Sequence, residues 1–117
     1  MDLFAKLQLK PGQRLVSVLT PDAFVSHAPE ATDGESPQES ALIVFVADRE
    51  TLESHREQIA GSAREDRLTW VSYPKSGQLD TDLNRDSLAA LLAESGIQPV
   101  RQIAIDDVWS ALRFRPR

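Results

Sequence analysis

The chain has no cysteine among its 117 residues. That excludes disulfides, thiolate metal ligands and a cysteine nucleophile, and it suits a reducing compartment. Aromatic residues are scarce, at 6%, and only five glycines occur. None of them forms the glycine-rich loop that lets backbone approach a nucleotide phosphate. Long apolar runs are missing too. The longest, residues 41–47, falls far short of the roughly 20 residues that span a bilayer. No signal peptide is expected, because Met1-Asp2 opens acidic and Lys6 and Gln8 interrupt the apolar residues that follow. Basic residues are outnumbered, 13 against 18 acidic ones, for a formal net charge of -5. Phosphate contacts need clustered Lys and Arg, so no nucleic-acid partner is expected. These absences together point to a soluble, cytoplasmic protein with no membrane partner.

What is present fits a single domain over residues 1–117, a length that buries roughly two thirds of its unfolded surface in one core. Charge is unevenly spread. Residues 22–39 carry five acidic side chains and no Lys or Arg, and residues 29–40, with Gly34 and Pro37, are expected to be an acidic flexible loop. The C-terminus runs the other way, with Arg113, Arg115 and Arg117. The plainer reading of both segments is solvated surface.

Along the chain, Leu3, Phe4 and Leu7 recur at helical spacing after Asp2, and residues 10–13 form a Pro-Gly turn. Residues 15–19 read as a buried strand. Thr20, Pro21 and Asp22 then open a short helix, with Leu19 and Phe24 as its staple, which Pro29 stops. A second strand spans residues 41–46. Asp48 caps a helix reaching about residue 60, with Leu52, Ile59 and Ala63 inward and Gly61 near its end. A third strand, 68–73, stops at Pro74. Asn84 caps the next helix, Leu83 and Leu88 staple it, and Gly96 suits a left-handed terminus. Residues 102–105 form a fourth strand, and residues 110–114 a fifth beyond Asp106-Asp107. Alternating strands and helices predict an α/β fold with a mostly parallel sheet of four or five strands, flanking helices and an antiparallel C-terminal strand. The last connection is too short for a crossover.

Three clusters, Trp70-Val71-Ser72-Tyr73-Pro74-Lys75, Asp82-Leu83-Asn84-Arg85 and residues 105–114 around Asp106-Asp107-Val108-Trp109, accompany residues 9–14 at the front. Together they resemble a family of small bacterial proteins catalogued only as a domain of unknown function. The resemblance covers nearly the whole chain but departs between His27 and Ser40, where relatives carry more apolar material, so the strand number stays open. It implies a fold and no activity. In outline the sheet is also similar to a shortened Rossmann-like or methyltransferase-like one, yet Val18-Leu19-Thr20-Pro21-Asp22 stands where the cofactor glycines would be. No cofactor is expected.

Ligands of open α/β sheets sit beyond the carboxyl ends of the strands. Residues 20–22, Asp48-Arg49, 73–77 and Asp106-Asp107 should meet there. Tyr73, Lys75, Ser76 and Arg85 offer a phenol, two cations and a hydroxyl beside a helix start, which suits a phosphate or carboxylate. In the structural reading of the same residues, Tyr73 packs on the sheet edge, Lys75 is solvated and Arg85 pairs with Asp82 or Asp86. Asp106, Asp107, Trp109 and Arg113 form a second cluster. Either one aspartate is a general base, or Arg113 crosses back to a carboxylate under Trp109. The two histidines, His27 and His55, have no metal-ligand spacing. No serine has a nucleophile-elbow context. These absences lean away from an enzyme and towards a non-enzymatic binding or regulatory module. The alternatives are a binder of, or small enzyme acting on, a phosphorylated or carboxylated metabolite, and a homodimer in which the C-terminal arginines meet a neighbour's acidic loop.

Overall fold

The computed structural model describes residues 6–8, 15–21, 41–75 and 77–117. The expected N-terminal helix start at Leu3 and Phe4, the turn at 10–13, the short helix beyond Asp22, the acidic loop 29–40, His27 and Ser76 lie outside these residues. The described elements run β1 (Leu15–Val18), β2 (Ala41–Phe45), α1 (Arg49–Arg64), β3 (Thr69–Pro74), α2 (Arg85–Ala93), β4 (Ile97–Ala104) and β5 (Trp109–Pro116).

The five strands form one sheet in the order β1-β2-β3-β5-β4. The β1–β2 and β2–β3 ladders are parallel, and β5 is antiparallel to both β3 and β4. The fold is therefore α/β with a mixed sheet: two ladders of each kind, and β5 alone running against the others. β5 turns back directly from β4 and inserts between it and β3. A hairpin thus closes this side of the sheet, with the Ile105 amide donating to the Trp109 carbonyl (3.0 Å).

Alternation along the strands divides the core into two faces. Leu42, Val44, Val71, Tyr73, Leu112 and Phe114 face the helices, and Leu52, Ile59, Leu88 and Leu92 pack onto them. Both described helices therefore share one face. Ile43, Phe45, Trp70, Ile103, Trp109 and Ala111 line the other, together with Leu7. β2 is buried at every position because it lies inside the sheet and is covered on both sides. Each fully buried Leu, Ile or Phe contributes about 1.5–3 kcal/mol of transfer free energy. On the second face Trp70 Nε1 donates to the Leu7 carbonyl (3.0 Å), so the largest buried side chain also satisfies its one polar atom.

Local chemistry fixes the helix ends. Asp48 Oδ1 accepts from the Thr51 amide (2.8 Å) at the start of α1. At α2, Asn84 and Ser87 exchange side-chain-to-amide hydrogen bonds in a reciprocal capping box. Gly96 takes φ +84° after α2, the left-handed stop its sequence position predicts. α1 runs past Gly61, beyond the end expected from sequence. Burial of Ser62 and Ala63 against the sheet carries it on, and the turn comes at Asp66, with φ +59°. There the Arg67 amide donates to the Ser62 carbonyl (3.1 Å) and the Asp66 amide to the Ala63 carbonyl (2.9 Å). Arg56 and Arg64 of α1 donate to the Leu91 and Ser95 carbonyls, joining α1 to the end of α2.

β4 begins five residues before the expected strand start, at Ile97 rather than residue 102. Pro99 disguises it, and proline is tolerated here because β4 is an edge strand. A bulge between Pro99 and Arg101 then shifts the register by one residue. Ile97 consequently faces the helices while Ile103 faces the opposite side.

Candidate functional site

Because β1, β2 and β3 are parallel, their carboxyl ends share one pole of the sheet. The Thr20-Pro21 segment, the Asp48-Arg49 start of α1, the 75–84 connection and the 105–108 turn all emerge there. The backbone ties these segments together. The Lys75 amide donates to the Val108 carbonyl (2.7 Å), and the Arg49 amide donates to Asp82 Oδ1 (2.8 Å). Asp82 thus supplies a second acceptor to the first turn of α1, beside the Asp48 cap. The Thr51 hydroxyl and amide both bond Asp48 and hold its carboxyl below the ordinary aspartate range.

Tyr73 lies on the interior strand β3, not at a sheet edge, and is 4% exposed. Gln102 Nε2 donates to its hydroxyl (3.2 Å), and Ser110 opposes it across the β3–β5 ladder. Burial pushes the phenol above its ordinary value, against the nearby positive charge of Arg85 and a hydrogen bond with Ser110. Arg85 is exposed at the first position of α2. Among the described residues, Lys75 and Arg85 make no ion pair or side-chain hydrogen bond, and Asp82 serves the Arg49 amide instead. Ser76 lies outside the described residues.

The second cluster divides in two. Asp106 Oδ1 accepts from both the Val108 and Trp109 amides (2.8 Å each), so this carboxylate holds the β4–β5 turn. Asp107 is exposed. Trp109 meets Phe45 edge to face, with centroids 5.2 Å apart and planes at 84°. Arg113 lies about 13 Å along the strand from that turn at the usual rise per residue. It bonds Gln8 Oε1 (2.8 Å) through an Nη1 hydrogen and, among the described residues, reaches no carboxylate. Two residues further along β5, Arg115 forks onto Asp66 (3.0 and 3.1 Å) and holds that carboxyl below its ordinary value.

Sequence reasoning missed Gln102, Asp82 as a partner of α1, and the Asp66–Arg115 pair. The first two follow from loop and sheet neighbours that no local pattern encodes, and the third joins residues 49 apart. Of the histidines, His55 is half-buried and donates through Nδ1 to the Thr51 carbonyl (3.0 Å). Among the described residues no group of three or more His, Asp or Glu could hold a metal ion, and no helix is long and apolar enough to cross a membrane. No family model, curated protein or solved structure matches the chain.

Proposed function

We propose that the protein is a non-enzymatic binding or regulatory module that takes its ligand at the carboxyl-end rim. One observation carries this reading. Asp48, Asp82, Asn84 and Asp106 are engaged in holding helix starts and turns, while Lys75 and Arg85 remain unengaged among the described residues. Acid–base or nucleophilic chemistry needs a reactive group poised on a partner, and these acceptors are tied to backbone amides instead. The rim also exposes Leu19 (53%) and Leu79 (57%), both on left-handed backbone at φ +59° and +53°. Leucine rarely adopts that conformation, and such strain concentrates where a surface is used.

A second reading, binding of or a small enzymatic action on a phosphorylated or carboxylated metabolite, uses the same cations. The position of Arg85 beside the buried Tyr73 phenol favours it. Kinship with a shortened Rossmann-like sheet is part of this proposal and rests on the three parallel strands. A cytoplasmic setting rests on the lack of cysteine.

A thermal-shift screen of phosphates, nucleotides and organic acids tests the rim. An increase in Tm that Lys75→Ala or Arg85→Ala abolishes, with the compound unchanged afterwards, is the expected result. Consumption of the compound would favour the small enzyme. A Tm that rises with protein concentration alone would favour the homodimer, and no response to any compound would remove the anion reading of the rim.

A further inference from the structure

The β4–β5 hairpin carries a second concentration of positive charge, on the face opposite the helices and away from the carboxyl-end rim. The bulge at Val100 brings Arg101 directly opposite Arg113. Their alternate neighbours Ile103 and Ala111 both belong to the face opposite the helices, so the two guanidinium groups extend on that side. Arg115 follows Arg113 two residues along β5, on the same side by alternation.

Like charges placed directly opposite one another across a ladder oppose folding, and a single-residue change would remove the conflict. Arg113 adds a second cost. Its Nη1 is held by Gln8, but its Nε is buried and has no hydrogen-bond partner among the described residues. An arginine N–H shut away from water without an acceptor is rare in a folded protein. Burial first, then the charges of Arg115 and Arg101, lower the pKa of Arg113, while Asp66 works against that shift. Asp66 is itself engaged by both oxygens with Arg115. Arg101 makes no ion pair or side-chain hydrogen bond among the described residues. The missing complement is a compact acceptor bearing negative charge and several oxygens.

We propose that Arg101 and Arg113 form an oxyanion-binding site on the β4–β5 face, taking a phosphate or carboxylate group between their guanidinium planes. The anion meets the outer N–H groups of the half-buried Arg113 guanidinium, whose charge reaches no carboxylate among the described residues, and Arg101 supplies the second contact. Planar, forked donors match such oxygens better than lysine would. The site is independent of the rim, which lies at the other end of β5, so either can stand without the other.

Nitrogen-edited NMR of the arginine Nε–Hε groups tests it on the full chain. Inorganic phosphate and acetate are titrated separately, with sodium chloride balancing the ionic strength. The Arg113 Nε–Hε signal is expected to move and saturate with one or both anions, and the anion that saturates it identifies the chemistry. Arg101→Gln should weaken that response about tenfold or more, since a charged contact is lost. Arg101→Glu should abolish it while raising Tm in the absence of anion, because an opposite-charge pair replaces a like-charge one. A signal unmoved by either anion, or moved equally in the wild type and Arg101→Gln, would overturn the site. So would an Arg101→Glu protein that responds like the wild type.

Discussion

The role of Asp106 yields the most discriminating stability prediction. Its Oδ1 receives two amides at 2.8 Å, from half-buried Val108 and buried Trp109. Asp106→Ala removes both bonds and leaves the Trp109 amide without its acceptor. A hydrogen bond to a charged group is worth about 1.5–3 kcal/mol when shielded from water, and an exposed helix-cap acceptor about 0.5–2. Asp106 is exposed, so the lower scale applies to the carboxylate, with an added penalty for the orphaned amide. The sum is about 2 kcal/mol, or roughly 10 °C in Tm for a domain of this size. Asp106→Asn keeps an oxygen at the accepting position and should cost less than about 1 kcal/mol. Asp107→Ala, at an exposed neighbour, should stay within about 0.5 kcal/mol. Urea unfolding followed by tryptophan fluorescence measures all three, with Trp109 adjoining the turn. Equal losses for Asp106→Ala and Asp107→Ala would refute the turn-holding role. Loss of a ligand response in Asp106→Asn at unchanged stability would restore a chemical one.

Three further outcomes are expected. Trp70→Phe should cost about 1–3 kcal/mol, since it orphans the Leu7 carbonyl and deletes ring volume in the core; chemical denaturation reads this directly. Gly96→Ala should destabilise by about 1–2 kcal/mol because φ is +84° there, although nothing lies close enough for the new methyl to meet; differential scanning calorimetry would register it. The pH dependence has a definite sign. Hydrogen bonds from Thr51 and Arg115 lower the pKa values of Asp48 and Asp66, so the stability they contribute is complete above the ordinary aspartate value of 3.8 and is lost as pH falls through the lower folded values. Tyr73, raised by burial above 10.0, contributes stability that is lost as pH climbs through its folded value. Urea midpoints taken across the pH range should therefore be level near neutrality and fall at both extremes.

The parts of the fold legible in the sequence were those with short-range causes. Asp48 and Asn84 as caps, Gly96 as a left-handed stop and the apolar run of β2 each follow from neighbouring residues. The end of α1 was not legible, because Gly61 looks like a terminator and only burial of Ser62 and Ala63 keeps the helix going. The start of β4 was hidden by Pro99 and by a bulge that inverts the alternation on which strand recognition depends. The insertion of β5 between β3 and β4 depends on long-range pairing. At the rim, the strand directions brought the expected segments to one pole. The partners of individual side chains, such as Gln102 for Tyr73 and Gln8 for Arg113, depended on register and on contacts across the sheet.

Binding without turnover at the carboxyl-end rim is tested most directly by recording amide spectra of the protein and the spectrum of each added anion in one sample. Perturbations should gather at Lys75, Arg85 and Val108, with the added compound intact after prolonged incubation. Conversion of the compound, or binding that leaves those amides untouched, would contradict it.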